Sequence, residues 1–206
     1  MFRRIRLVAS FGLTLTALGF VAPYAHANGA AEEFIQTRQT EVTSLLHQAQ
    51  GVPRDKKIAA VLDGMIAYDE LARRSMASHW EDLSEPQRKE FTEILKRLVQ
   101  RSYEKNLKNI LEYRVEYLGE EPGSDGIVVH TRASSADKPA DEPITIDYRM
   151  LQGTATWKVI DIVTEGSSLV NNYKNQFNRI LQKDGFDALI RRMKAKIEQG
   201  GEAHAK

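Results

Sequence analysis

Three polar residues on neighbouring predicted strands are the first candidates for chemistry in this sequence. His130, Asp147 and Asp161 each stand within an alternating pattern that predicts a β-strand, so an imidazole and a carboxylate could meet across a sheet. Such a pair could act as general acid and base in a sheet-lined cavity, as in isomerases built on conical α+β sheets. Alternation of charged and apolar residues is also typical of the solvent-facing side of a sheet, and we favour that interpretation for His130.

Other arrangements that carry chemistry are absent from the sequence. The chain has no cysteine, which excludes thiol catalysis, disulfides and a lipid-modified N-terminal cysteine. His47, His79, His130 and His204 are far apart and show no metal-ligand spacing, and neither a glycine-rich phosphate loop nor a nucleophile elbow occurs. The segment Glu165-Gly166-Ser167-Ser168 favours a strand-to-helix turn, with a serine as helix cap, over an oxyanion loop. We therefore expect no catalytic residue, no metal site and no cofactor.

The first 27 residues have the three parts of a secretory signal peptide. Arg3, Arg4 and Arg6 precede an apolar run over Leu7–Val21, and the segment ends on Ala25-His26-Ala27. The run is shorter than the roughly 20 apolar residues that a membrane-spanning helix needs. We predict an exported protein that is cleaved after Ala27, with an uncleaved membrane anchor as the alternative.

Composition predicts one domain of ordinary size for the rest of the chain. We expect this domain to cover residues 28–199, and residues 200–206 to form a flexible tail. The full chain has 29 basic and 28 acidic residues; without the three arginines of the signal peptide the balance is 26 against 28, a net charge of −2. This near-neutral balance gives no electrostatic basis for binding nucleic acid.

Helical periodicity governs both ends of the domain. The first half predicts one helix before Gly51, a second from Pro53 and a short third over Tyr68–Trp80. A long fourth helix begins at the capping-box sequence Ser84-Glu85-Pro86-Gln87 and keeps one face apolar for nearly seven turns. Two more helices, separated by Asp184-Gly185, end the chain.

Between these helices the apolar period changes to two, which predicts strands. Four strands centre on residues 113–117, 127–131, 144–150 and 157–163, with short turns between them. Short links favour an antiparallel meander, so we predict an α+β fold with a four-stranded antiparallel sheet covered by helices. The long fourth helix is the expected cover.

Two stretches of the chain resemble a known family. The first runs over residues 68–74 (Tyr-Asp-Glu-Leu-Ala-Arg-Arg), Trp80 and residues 83–91, with Tyr103 downstream. The second is the W-K-V-x-D-x-x-x-E-G-x-S-L-V block over residues 157–170, followed by Tyr173, Gln176, Phe177, Ile180, Leu181 and Gly185. Together they resemble the MlaC-like periplasmic phospholipid carriers, also called toluene-tolerance auxiliary transport proteins. Ser167 departs from the family, whose members often have an apolar residue or threonine there.

The resemblance implies a fold and a set of partners. It implies a nuclear-transport-factor-like cone, in which helices close over a curved sheet around an apolar lipid cavity, and a bound phospholipid as cargo. It implies a periplasmic location between an inner-membrane MCE-domain (MlaD-like) ABC complex and an outer-membrane lipoprotein–porin complex, in a system that maintains outer-membrane lipid asymmetry. A hopanoid or other apolar lipid is an alternative cargo. An isomerase-like enzyme that uses His130 and Asp161, and a module that only links the two membrane complexes, are alternative functions.

A carrier of this kind needs a wall of apolar side chains, which alternation and helical spacing allow us to predict. We expect one face each of the second helix, the long helix and the sheet to supply it, with Leu98 at mid-helix across the sheet. The predicted lipid-binding residues are Met65, Ile66, Leu95, Leu98, Val99, Tyr103, Val115, Tyr117, Ile144, Ile146, Tyr148 and Val159.

Overall fold

The computed structural model describes residues 29–138 and 140–202, and side chains in 29–103, 111–138 and 140–199. The predicted signal peptide and residues 203–206 of the predicted tail lie outside this described part. The elements in chain order are α1 (Ala30–Leu46), α2 (Val52–Met65), α3 (Tyr68–Met76), the 3₁₀ turn η1 (Ala77–Trp80), α4 (Glu85–Ile110), β1 (Tyr113–Gly123), β2 (Gly126–Ser135), β3 (Ile144–Gln152), β4 (Trp157–Thr164), β5 (Ser167–Ser168) and α5 (Leu169–Glu202).

The helix boundaries follow local signals in the sequence. At the start of α4, the backbone N–H of Ser84 donates to the side-chain oxygen of Gln87 at 2.9 Å, as the capping-box sequence predicts. Inside α5, Gly185 has φ 77° and ψ −179°, a conformation outside the helical region that glycine adopts readily. The helix therefore bends where the sequence predicted the end of one helix and the start of the next.

The sheet is antiparallel, with the strands side by side in chain order from β1 to β5. The four predicted strands are confirmed, and β5 is an additional strand of two residues that pairs with the end of β4. Further along, β4 is joined by the segment after α2, where the backbone N–H of Ala67 donates to the carbonyl of Val159 at 3.0 Å. This contact covers part of the open edge of β4.

Two register shifts bend the sheet. One lies in β1 between Tyr117 and Gly119, and the other lies between β3 and β4 beside Arg149 and Met150. Bulges of this kind increase local twist and curvature because one strand carries an extra residue. We call the side of the sheet that carries Val129 the inner face and the opposite side the outer face.

A helical layer forms the largest apolar cluster of the described chain. It joins α3, α4 and α5, and Phe91 of α4 packs edge to face on Phe177 of α5 with ring centroids 5.5 Å apart. Leu95 and Leu98 of α4 are buried in this cluster. The apolar face of α4 is thus occupied by α3 and α5.

Helix α1, rather than α4, packs on the inner face of the sheet. Ala31 and Ile35 are fully buried against a cluster that includes Val129. The carboxylate of Glu120 on β1 accepts a hydrogen bond from the backbone N–H of Glu32 at 2.8 Å, which satisfies a free donor at the N-terminus of α1. The expectation that the long helix covers the sheet is therefore corrected, because α3 and α5 already pack against the apolar residues of α4.

Candidate functional site

Five predicted wall residues of β1 and β3 lie together on the inner face. Strand register aligns Val115 and Ile144 with Ala133 of β2, and Tyr117 and Ile146 with Thr131. Tyr148 lies opposite Val129 on the same face. We call this set the apolar strip: Val115, Tyr117, Ile144, Ile146 and Tyr148.

The apolar strip is only half-buried, unlike the inner face beneath α1. All five side chains keep partial accessibility, whereas Val129, Met150 and Val159 are almost fully occluded. Apolar side chains on the interior side of a sheet normally bury completely, because their exposure to water is unfavourable. The strip side chains of β1 and β3 are therefore less buried than these three residues, while Thr131 and Ala133 of β2, which lie between them, are buried.

A second group of half-buried side chains closes this region from the helical side. Tyr103 of α4 and Met65 of α2 pack against the small cluster formed by the C-terminal half of α1 and by α2. Burial raises the pKa of Tyr103, and the nearby Tyr148 hydroxyl raises it further. Tyr103 thus packs on the α1–α2 side, whereas Leu95 and Leu98 in the middle of α4 pack in the helical layer.

Tyr148 lies at the centre of this arrangement. Burial raises its pKa to about 12, yet its side chain remains partly accessible. Its hydroxyl is not among the fully buried polar atoms without a partner, so Tyr148 borders a space that water can reach. Burial and the neighbouring Tyr148 also raise the pKa of Tyr117, whose hydroxyl donates to Oε1 of Gln39 on α1 at 2.6 Å.

The twelve predicted wall residues are divided among different parts of the fold. Eight are half-buried, and the four that are buried are Leu95, Leu98, Val99 and Val159. Leu95, Leu98 and Val99 belong to the helical layer, so the structure does not bring them together with the apolar strip. An apolar helical stripe shows that a face is buried but not which element buries it. Val159 lies in the cluster under α1.

Ile66 lies at a separate cleft on the surface. The cleft has a volume of about 560 Å³ and its lining includes Trp80, Glu70, Arg73 and Lys158. Lys158 there donates from Nζ to the carbonyl of Gly64 at 2.5 Å, so its charge already has a protein partner. Because this cleft is open and half of its lining residues are charged, we place the candidate site at the apolar strip instead.

Sequence reasoning missed the contribution of Phe34 on α1 and of Ile162 on β4. Phe34 and Ile162 are half-buried and pack against the same cluster as Tyr117 and Tyr148. Ile162 lies directly opposite Tyr148 in the sheet. Strict alternation from Val159 would place Asp161 and Val163 on the inner face, but the bulge beside Arg149 and Met150 shifts the alternation and brings Ile162 there instead.

His130 lies on the outer face and pairs with Asp147 rather than Asp161. Its Nδ1 is 2.9 Å from Oδ1 of Asp147, and its Nε2 is 3.4 Å from Oε1 of Glu121. Partial burial lowers the pKa of His130, but the hydrogen bonds and charges of these two carboxylates outweigh it and raise the pKa above its usual value. Asp161 is on β4, and β3 separates that strand from β2. The acid–base pair of His130 and Asp161 is therefore not assembled.

Asp161 instead holds the start of α5. Its buried carboxylate accepts hydrogen bonds from the Ser168 hydroxyl at 2.6 Å and from the backbone N–H of Val170 at 3.0 Å. Ser168 in turn accepts from the backbone N–H of Asn171 at 3.0 Å, which is the serine cap that the sequence predicted. Asp161 and Ser168 of the W-K-V-x-D-x-x-x-E-G-x-S-L-V block thus stabilise the start of α5.

The described residues contain neither a metal site nor a membrane-spanning helix. Within residues 29–138 and 140–202, no three carboxylate or imidazole side chains come together as a metal site. None of the helices in the same ranges is both long and apolar enough to cross a membrane.

Comparison with known proteins gives consistent matches along the chain. The family described as MlaC protein matches residues 36–195. The intermembrane phospholipid transport system binding protein MlaC of Haemophilus influenzae is 22% identical over 198 residues, which cover 94% of this chain and 90% of the relative. A solved structure, the phospholipid-binding protein from Ralstonia solanacearum in complex with a phospholipid, shares the fold with a TM-score of 0.68 at 22% identity, over 84% of this chain and 99% of that chain. Since the family match spans well over half of the residues, this chain belongs to the MlaC family.

Proposed function

We propose that this protein is a phospholipid carrier that holds acyl chains against the apolar strip. The observation that carries the proposal is that Val115, Ile144 and Ile146 lie on the inner face of the sheet and yet are only half-buried. An acyl chain supplies the missing contacts, because it is apolar and flexible enough to adapt to an irregular surface.

Physical chemistry explains why such a lipid needs a carrier. Each methylene moved into water costs about 0.8 kcal/mol, so one acyl chain of about fifteen carbons resists transfer by about 12 kcal/mol. A two-chain lipid therefore leaves a bilayer very slowly unless a protein receives its chains. Release requires a partner that opens the cavity or accepts the chains, and no energy source within the carrier.

Family membership supports the finer features of this proposal. The Haemophilus relative is named as a binding protein of an intermembrane phospholipid transport system, and the Ralstonia structure holds a phospholipid. We propose that the chain acts in the periplasm after signal-peptide cleavage, between an inner-membrane MlaD-like ABC complex and an outer-membrane lipoprotein–porin complex. In this role it has a cargo rather than a cofactor.

The geometry favours a carrier over the two alternative functions. An enzyme would need free acid–base groups in the cavity, but His130 lies on the outer face and Asp161 caps α5. A module that only links two membrane complexes would have a fully packed interior, unlike the half-buried apolar strip.

Native mass spectrometry of the mature protein tests the proposal. Protein purified without detergent is expected to carry a diacyl phospholipid, and delipidated protein is expected to regain one from vesicles. Organic extraction separates phospholipid from a hopanoid or another apolar lipid. Folded, monodisperse protein that never acquires a phospholipid adduct would overturn the carrier function.

A further inference from the structure

Three tyrosines from three separate elements meet near the apolar strip. Tyr117 of β1 and Tyr148 of β3 flank the central strand β2, where they pair with Thr131 and Val129 on the inner face. Tyr103 of α4 packs against the neighbouring cluster formed by α1 and α2. All three side chains are half-buried, and Met65 packs both against the cluster that Tyr117 and Tyr148 contact and against the cluster that Tyr103 contacts. The proximity of Tyr148 also raises the pKa of the other two tyrosines.

Only one of these hydroxyls has a hydrogen-bond partner among the described residues. Tyr117 donates to Oε1 of Gln39 at 2.6 Å. Neither Tyr103 nor Tyr148 has a partner for its hydroxyl within the part of the chain that the structure describes. Two phenol donors are therefore left at the edge of an apolar region.

Neither hydroxyl is among the buried polar atoms that lack a partner, so water reaches both in the lipid-free protein, and a lipid on the apolar strip would displace that water. A phenol that leaves water without a new hydrogen bond is destabilising, whereas phenylalanine would fill the same space without that cost. A cavity built only for hydrocarbon would gain nothing from hydroxyls at these positions. The acceptor must also be compatible with an apolar wall, which favours a group that carries no charge and no donor of its own.

We propose that Tyr103 and Tyr148 donate hydrogen bonds to an ester carbonyl of the bound lipid, so that the cluster recognises acyl esters. An ester carbonyl is a neutral acceptor without a donor, and it is attached directly to the acyl chain that the apolar strip would hold. This inference rests on the proposed carrier function and adds a requirement on the chemistry of the cargo. Tyr117 is already bonded to Gln39, and that bond fixes its position beside the other two rings.

A pair of phospholipids with the same headgroup and chain length tests the inference. One member is a diacyl ester, and the other is a dialkyl ether that lacks both carbonyls. Each hydrogen bond gained is worth a factor of about 2–12 in affinity, so with two such bonds wild-type protein is expected to bind the ester about 4–140-fold more tightly than the ether. Tyr148→Phe keeps the ring and removes the donor, and is expected to reduce that ratio by about 3–10-fold.

Matched variants separate this effect from general damage to the fold. Tyr173→Phe removes a buried hydroxyl in the helical layer and is expected to leave the ester-to-ether ratio unchanged. Tyr103→Phe provides a second measurement should Tyr148→Phe fail to fold. Equal binding of both lipids by wild-type protein would overturn the inference and leave the carrier function intact. Failure to bind either lipid would instead overturn the carrier function itself.

Discussion

The carboxylate of Asp161 and the hydroxyl of Ser168 are joined by a 2.6 Å hydrogen bond that links strand β4 to the first turn of α5. Asp161 also accepts from the backbone N–H of Val170, and it is only 4% exposed. A buried carboxylate that satisfies helix donors stabilises the fold as long as every partner is present, because any unpaired group there would lack water. The sheet and the helical layer are therefore joined at this point by a polar contact.

Asp161→Ala is expected to destabilise the fold by about 2–4 kcal/mol, because it removes a charged acceptor and leaves two buried donors unpaired. Chemical denaturation measures this loss. Ser167→Ala, at an exposed neighbouring position, is the control and should stay within about 0.5 kcal/mol of wild type. An Asp161→Ala protein as stable as wild type would contradict the capping role.

The raised pKa of His130 makes stability depend on pH in a defined direction. A histidine with a folded-state pKa above its unfolded value of about 6.5 stabilises the fold fully below pH 6.5. The stabilisation is lost as the pH rises through the folded-state pKa, because Asp147 then faces a neutral ring. Partial exposure of both side chains limits the effect to about 1 kcal/mol or less.

His130→Gln is expected to remove this pH dependence and to leave lipid loading unchanged, since the side chain lies on the outer face. Denaturation of both proteins from pH 5 to 9 measures the difference. A difference in stability that grows with rising pH would have the wrong sign. A folded variant that no longer loads lipid would restore a functional role for His130.

Leu98 and Ile146 should respond differently to truncation. Leu98→Ala is expected to cost about 2–5 kcal/mol with or without lipid, because Leu98 is 5% exposed in the packed helical layer. Ile146→Ala is expected to cost less than about 2 kcal/mol in lipid-free protein but to reduce lipid occupancy, because Ile146 is half-buried in the apolar strip. Unfolding of lipid-free and loaded forms, with bound lipid quantified, checks both. Equal costs and equal occupancies for the two variants would remove the distinction between packed layer and strip.

The hydrogen bond between Glu120 and the N-terminus of helix α1 should stabilise the packing of α1 on the sheet. Glu120→Ala is expected to lower stability by about 0.5–2 kcal/mol, the usual cost of losing an N-terminal acceptor. In this variant, amide hydrogen exchange is expected to accelerate more in the first turn of α1 than in α4. Glu116→Ala, on the exposed side of the same strand, is the control and should leave exchange in α1 unchanged.

The sequence predicted the strands and helices well because their signals are local. Alternation placed Val115, Tyr117, Ile146 and Tyr148 on one face, and register confirms that they share it. Strand β5 was not predicted, since two residues cannot show a period.

The packing of the helices could not be predicted in the same way. The apolar stripe that contains Leu98 is compatible with packing against a sheet and with packing against two helices. Only the three-dimensional arrangement shows that it packs against helices. Sequence reasoning likewise placed Asp161 beside His130. The two residues lie on β4 and β2, which are not neighbours in the sheet, so they do not meet.

The hydrogen bond between Glu32 and Glu120 spans 88 residues of the chain. Helix α1 is synthesised before every other described element, but its partners on β1 and β2 follow only after α2, α3 and α4. Contacts so distant in sequence form late, because a long loop must close before any contact energy is gained. The inner face of the sheet therefore stays uncovered in a partly folded chain. During that interval the surface that we expect to receive a lipid is also the surface through which unfinished molecules aggregate.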